Sequence, residues 1–157
     1  MRSPAELTHA FRRQGLKLTR QRQVLFDLLH ENGTHPTAEA LHAAAAQRVP
    51  GISLRTVYQT LNDLTAMGEL HAISLAPGAV RFDPNTDAHH HAQCDRCGAL
   101  HDVYVEDLPP LRTRGLDGFR TEGTTIVFRG LCDACVAHAA DVETASHNTH
   151  NHKEPTP

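Results

Sequence analysis

No run of apolar residues in this chain approaches the roughly 20 needed to cross a bilayer, which excludes a membrane-spanning helix. The opening residues, Met1-Arg2-Ser3-Pro4-Ala5-Glu6-Leu7, lack the apolar stretch of a secretory signal. Tryptophan is absent as well, and with 39% hydrophobic and 21% charged residues the composition is that of a soluble globular protein. The expected location is the cytoplasm, where thiols stay reduced and paired cysteines bind metal rather than form disulfides. No cysteine lies outside two Cys-x-x-Cys pairs, Cys94 with Cys97 and Cys132 with Cys135. A length of 157 residues allows one compact domain or two small ones. A domain of about 70 residues buries little core and calls for a staple.

Charge is unevenly placed. Residues 1–60 hold eight basic and four acidic groups, and residues 61–157 hold seven basic and fourteen acidic ones. The net charge of −3 therefore conceals a basic N-terminal part able to face an anionic partner, although plain surface charge produces the same asymmetry.

Four apolar stretches with helical periodicity precede a hairpin. Leu7, Ala10 and Phe11 share one face. Thr19 is placed to cap a second helix carrying Val24, Leu25, Leu28 and Leu29, with a stop near Asn32-Gly33. Pro36 and Thr37 open a third, alanine-rich helix that runs through Gln47 and is broken by Pro50-Gly51. Ser53 caps a fourth, with Val57, Leu61 and Leu64 facing inward and Gly68 closing it. His71–Leu75 and Val80–Phe82 read as hairpin strands joined across Ala76–Ala79. This order is that of a winged helix-turn-helix, in which the fourth helix enters the major groove and the hairpin flanks the phosphates. Arg55, Thr56, Tyr58, Gln59 and Asn62 would project from that helix; Arg and Gln are competent readers of base edges. Lys17 and Arg22 join them as expected DNA contacts. An ordinary helical bundle with a polar outer face fits the same pattern.

Turn-forming residues mark 83–93 as a junction. Beyond it, strands are expected at Leu100–Val105, Phe119–Thr121 and Thr124–Phe128, with a helical turn around Leu108–Arg114. The domain plan is 1–82 for the winged helix, 83–88 for a hinge, 89–140 for a second, small α/β domain, and 141–157 for a disordered tail containing histidines. The overall class is α/β in the broad sense, or α+β.

Four cysteines in two pairs supply the thiolates of a closed tetrahedral zinc site, Cys94, Cys97, Cys132 and Cys135, with a redox dithiol as the alternative. Such a site has no open position; its role is to tie the end of the second domain to its start. The stretch His89-His90-His91-Ala92-Gln93-Cys94-Asp95-Arg96-Cys97-Gly98 sets imidazoles beside these thiols. In an extended chain His89 and His91 share a face and His90 points the other way. With Asp83, Asp87 or Asp102 nearby, they suit Fe(II), Mn(II) or Zn(II). A solvated histidine cluster that binds nothing specific is the alternative. His147, His150 and His152 lie in a polar tail and suit only weak adventitious binding.

At this point the chain resembles the ferric uptake regulator (Fur) superfamily of bacterial metal-dependent repressors. The likeness spans about residues 5–137. It rests on Leu18-Thr19-Arg20-Gln21-Arg22, His35-Pro36-Thr37-Ala38, Ser53-Leu54-Arg55-Thr56-Val57-Tyr58, Arg81-Phe82-Asp83, the His89–Gly98 stretch and Gly130-Leu131-Cys132-Asp133-Ala134-Cys135. The resemblance implies a winged helix hinged to a dimerisation domain, and a homodimer that binds AT-rich inverted repeats of double-stranded DNA when a regulatory metal is loaded. It implies that His35, Asp83, His89, His91 and Asp102 hold that iron or manganese ion. Three His and two Asp are similar to the peroxide-responsive PerR branch; iron-uptake sensors usually carry Glu at the two Asp positions. In that branch Fe(II) reacts with hydrogen peroxide and a ligand histidine, here His35 or His89, gains an oxygen, whereas Mn(II) supports DNA binding without the oxidation. The chain departs from the family at Arg20, a frequent Pro; Thr60, a frequent Asn whose loss bears on base readout; Ala88, a frequent Asp; and Pro109-Pro110. The ligands of an auxiliary metal site do not map. The resulting expectation is a repressor, not an enzyme, that senses peroxide. A plain iron- or manganese-responsive repressor, a metalloenzyme and a zinc-stapled interaction module are its rivals.

Overall fold

The computed structural model describes residues 1–30, 32–74, 79–107 and 111–138. They form two units, Met1–His89 and His90–Pro157.

The first unit starts with four helices, α1 (Pro4–Arg13), α2 (Arg20–Leu29), α3 (Ala38–Arg48) and α4 (Leu54–Ala66). Each has the cap its sequence offers. The side chains of Ser3, Thr19, Thr37 and Ser53 accept from the backbone N–H three residues on, satisfying one of the amides that a helix start leaves without an internal partner. Gly68, at φ +71°, ends α4 in a left-handed cap, with Gly68 N–H donating to the Thr65 carbonyl and Glu69 N–H to that of Leu64. α2 stops at Leu29, three residues before the expected Asn32, because His30 adopts an extended backbone.

The helices bury one apolar cluster. Leu7 and Phe11 of α1 meet Leu25, Phe26 and Leu29 of α2, Leu41 and Ala45 of α3, and Val57, Leu61 and Leu64 of α4. Phe11 and Phe26 meet edge to face at 4.8 Å. Two strands follow, β1 (His71–Ile73) and β2 (Arg81–Asp83), paired antiparallel with His71 opposite Asp83 and Ile73 opposite Arg81. β1 ends at Ile73, short of the expected Leu75, and β2 is shifted by one residue from the expected Val80–Phe82; Leu75 and residues 76–78 of the expected turn lie outside the described residues. Asp83, expected in a hinge, instead completes β2.

Two expectations for α4 and its neighbours need correction. Arg22 was expected to contact DNA. Its guanidinium lies inside the unit, 2.7 Å from the Asp63 carboxylate and 5.2 Å from the centre of the Phe11 ring, with its side chain 10% exposed. Here it joins α2 to α4 and α1. Thr60 is fully buried, its hydroxyl donating to the Thr56 carbonyl. Its departure from the family's Asn therefore changes packing and not the groove-facing surface.

The second unit is a three-stranded sheet in the order β4-β3-β5, with β3 (His90–Cys94), β4 (Leu100–Val103) and β5 (Val127–Gly130). β3 pairs antiparallel with β4 and parallel with β5. The segment 90–93, taken as junction from its turn residues, is thus the central strand. The expected strand Phe119–Thr121 does not form: Gly115 and Gly118 take positive φ, a turn closes with Phe119 N–H on the Leu116 carbonyl, and Phe119 is 72% exposed. β-propensity is realised only where a neighbouring strand offers pairing. The strand expected at Thr124–Phe128 is shifted towards the C-terminus by its register with β3. Residues 111–114 are not helical, 133–138 are, and Leu108–Pro110 and the tail 141–157 lie outside the described residues.

Removing the Arg22 charge should strand Asp63 in a largely buried setting. Arg22→Ala is expected to cost about 3 kcal/mol of stability, the scale of a broken buried ion pair, measured by denaturant unfolding.

Candidate metal centres

The second unit has almost no apolar interior. Among its described residues only Cys94 and Leu100 are buried hydrophobics. What converges instead is sulfur. Parallel pairing sets Cys94 opposite Gly130, so Cys132 arrives two residues later beside the first pair. Gly98 takes φ +69° and donates its N–H to the Cys94 carbonyl, which turns the chain back under Cys97; Cys135 N–H does the same to the Cys132 carbonyl. Arg96 donates to the Cys135 carbonyl, and Arg129 pairs with Asp95 at 2.6 Å, closing the two Cys-x-x-Cys loops on each other.

The four Sγ atoms lie within 4.8 Å of one another, and none is in a disulfide. Tetrahedral coordination at a metal–sulfur distance of about 2.3 Å puts sulfurs about 3.8 Å apart. Cys97 and Cys132 stand at 3.7 Å. The backbone amide of Cys132, aided by that of Cys97, points at the Cys94 sulfur and pulls its thiol down to about 6. Burial, then the crowding thiols of Cys132, Cys97 and Cys94, push Cys135 up to about 12. The group accepts a negative charge readily at Cys94 and resists one at Cys135. A divalent cation removes that conflict by displacing the remaining protons. The residues fit a closed metal site.

The first unit gathers a different set. His35 and Asp83 are both buried. Asp83 Oδ2 lies 2.9 Å from His89 Nε2, and its Oδ1 lies 3.6 Å from His35 Nε2. Asp83 Oδ1 also accepts from the Asn85 N–H at 2.8 Å, which holds the carboxylate in place. His89 Nδ1 is 2.8 Å from the Asp87 carbonyl, so Nδ1 carries the proton. In the neutral ring the Nε2 lone pair then faces the Asp83 carboxylate. Two lone pairs at that distance repel unless a second proton or a metal cation lies between them. A histidine whose far nitrogen donates to a backbone carbonyl is also the usual arrangement of a metal ligand. These three donors fit a hard or borderline divalent ion.

Within the second unit, β3 and β4 place His91 directly opposite Asp102, with donor atoms inside 4.8 Å. His91 is buried. His90 does turn elsewhere: its Nδ1 accepts from the Ile126 N–H at 3.3 Å, extending the β3–β5 ladder by one side chain. Asp87, considered beside the histidines, contributes its carbonyl to His89.

On α4, Arg55, Tyr58, Gln59 and Asn62 are exposed and Thr56 half-buried; Lys17 is exposed in the loop before α2. The Tyr58 hydroxyl donates to Glu39 at 2.8 Å. That bond lowers the Glu39 carboxyl and raises the Tyr58 phenol from their ordinary values. Nothing in the sequence pattern indicated the pairing, because the residues are 19 apart on separate helices.

Four helices with a short hairpin, a buried His/Asp group and a sulfur-stapled sheet define a metal-responsive regulator with a winged helix-turn-helix. The chain belongs to the ferric uptake regulator family, whose family model matches residues 13–128. It is similar to the peroxide-responsive repressor PerR of Staphylococcus epidermidis, 27% identical over 128 residues that span 80% of this chain and 85% of that protein. Its fold is that of the Helicobacter pylori ferric uptake regulator Fur, whose structure is described as having three functional metal-binding sites: TM-score 0.65 at 18% identity, over 84% of this chain and 90% of that one. A zinc uptake regulator complexed with zinc and DNA shares the fold at TM-score 0.58 and 23% identity, over 87% and 95% of the two chains. Family members are transcriptional regulators and not enzymes. No helix among the described residues is long and apolar enough to cross a membrane.

Cys135→Ser should lower the metal content by one ion per chain and dissolve the β3–β5 ladder. Amide exchange at Asp95, whose N–H donates to the Gly130 carbonyl, should become fast while α1–α4 stay protected.

Proposed function

We propose that this protein is a homodimeric, metal-dependent repressor of the cytoplasm that senses hydrogen peroxide. Cys94, Cys97, Cys132 and Cys135 hold a structural Zn(II). His35, Asp83, His89, His91 and Asp102 together hold one regulatory Fe(II) or Mn(II). The observation that carries the reading is the buried trio of His35, Asp83 and His89, with a carboxylate and an imidazole nitrogen set face to face at 2.9 Å. A donor set of imidazole and carboxylate favours these metals over softer ones. Five protein ligands leave one position for a small oxidant.

When bound, Fe(II) would activate peroxide for O–O cleavage, and the net two electrons that reduce it would come from the histidine that gains one oxygen, the other leaving as water. The chain's own part is to hold His35 and His89 as the residues that take up oxygen, and so to lose a ligand when they do. Loss of a ligand weakens the metal, and metal occupancy is linked to DNA affinity because the ion binds the DNA-competent arrangement more tightly. The relative named a peroxide-responsive repressor supports this choice over a plain iron- or manganese-responsive repressor.

The DNA partner is double-stranded and AT-rich, with half-sites inverted to match the dimer. Arg55, Thr56, Tyr58 and Gln59 meet the bases or phosphates from α4, and Lys17 meets the backbone. Arg22 is left out of this set, being paired with Asp63. The structural neighbour bound to DNA supports the partner class. Exposed apolar side chains of the second unit, Tyr104, Phe119, Phe128, Leu131 and Val136 among them, suit burial against a second copy.

Apo-protein loaded anaerobically with Fe(II) or Mn(II) should bind an AT-rich inverted repeat in both cases. Stoichiometric peroxide should release only the iron form, with one oxygen gained on the peptide holding His35 or His89. Binding that survives peroxide with both histidines intact would demote the protein to an iron or manganese sensor. Arg55→Ala is expected to weaken repeat binding by about 1–3 kcal/mol while leaving Mn(II) affinity unchanged, as read by fluorescence anisotropy at fixed salt.

A further inference from the structure

Among the described residues, His35 is one of two non-glycine positions whose backbone lies in the left-handed region, at φ +49°. It stands directly before Pro36, whose ring disfavours the right-handed helical backbone for its predecessor. The relaxed alternative for His35 is therefore extended, and the observed conformation is strained. Something outside the loop has to hold it. Contacts from the single strand β2 do. Arg81 Nη1 donates to the His35 carbonyl at 3.1 Å. Phe82 N–H donates to the Pro36 carbonyl at 3.0 Å. Thr37 and Arg81 form an isolated antiparallel bridge. The next residue along β2 is Asp83, and the other edge of β2 pairs with β1 to make the wing.

We propose that Arg81 is a positioning residue for the regulatory ion: by clamping the strained His35 backbone onto β2, it ties metal affinity to the order of the wing. The proposal rests on the reading of His35, Asp83 and His89 as ligands of that ion. Two donors that are far apart in sequence meet only because 35–37 and 81–83 are laid side by side. The backbone bond of Phe82 fixes the spacing of the two segments. The Arg81 side chain fixes the twist of His35, and with it the direction of the imidazole. Without the guanidinium, His35 relaxes to an extended backbone and its ring leaves Asp83. The coupling runs both ways. An ion held by His35 and Asp83 should draw the two segments together and protect the Phe82 amide, stiffening the wing from its own strand. This route from metal to DNA-binding surface lies wholly inside the first unit.

The test uses the full chain with the metal of its four-cysteine site in place, titrated anaerobically with Mn(II) alone and followed by the electron paramagnetic resonance of free Mn(II). Arg81→Ala should weaken Mn(II) binding by about ten-fold or more, the usual effect of losing a residue that orients a metal ligand. Arg81→Lys, which keeps one donor for the carbonyl, should recover most of that loss. In the parent, Mn(II) should slow amide exchange at Phe82 and Ala72; in Arg81→Ala it should not. Thermal midpoint and the metal content of the four-cysteine site are read alongside. Arg81→Ala binding Mn(II) like the parent, while Asp83→Ala loses it, overturns the role of Arg81 and leaves the ligand reading standing. If neither substitution changes Mn(II) affinity, the ligand reading fails with it. A drop in thermal midpoint and affinity that Arg81→Lys does not repair in affinity also overturns the proposal, since a purely structural arginine behaves that way.

Discussion

The second unit depends on one constraint: four sulfur atoms must share a space in which they repel as anions. Its sheet has three short strands, and its described interior holds little besides Leu100 and Cys94. Apolar burial on that scale, at about 25 cal/mol per Å², does not offset the conformational entropy of the loops it must order. The sulfurs replace a core. They join the end of β3 to the segment after β5, so the parallel pairing, the Arg129–Asp95 pair and the turn at Gly98 all converge on them. Cys94 drawn down and Cys135 pushed up express the same conflict, a charge favoured on one sulfur and opposed on another, that a cation resolves.

The first unit solves a different problem. It has a full apolar cluster of its own. Its His/Asp group is instead a place where polar side chains are taken out of water at the edge of that cluster. Burying Asp83 is costly unless its oxygens are engaged; the Asn85 amide engages Oδ1, while Oδ2, 2.9 Å from His89 Nε2, calls for a proton or a cation between the two atoms. The same strand that presents Asp83 forms half of the wing and holds the His35 backbone. The proposed ion site and the hairpin thus draw on one three-residue strand. The two candidate metal groups differ in donor type: soft thiolates suit a closed site, imidazole and carboxylate a harder ion.

The charged residues divide by whether a partner exists inside the unit. Arg22 meets Asp63 and the Phe11 ring and is withdrawn from solvent, while Arg55, Gln59 and Lys17 meet nothing comparable among the described residues and stay outside. Tyr58 stands between these cases, exposed yet tethered to Glu39. An arginine in a basic segment looks the same in either role until the acid opposite it is known, and Asp63 is 41 residues away.

Local chemistry was enough to read the helices. The caps at Thr19, Thr37 and Ser53, the closing Gly68 and the inward faces of α1 and α4 are set by neighbours within a turn or two, whereas on α2 Arg22 and Phe26 are buried and the expected Val24 and Leu28 only partly so. The two Cys-x-x-Cys pairs were equally legible, because ligand spacing within each loop is local and the only open question was which pairs meet. Strands were read less well. Phe119–Thr121 has the residues of a strand but no edge to join, and His90–Gln93 looked like a junction although it is the central strand of its sheet. Pairing is a non-local property, and β-propensity does not encode it. The metal donors divide in the same way. The sequence by itself determined their chemical types and the closeness of His89 to His91. Only the tertiary structure decided that His35 would be bent into a left-handed backbone and laid against Asp83, because that contact is made by a strand 46 residues away.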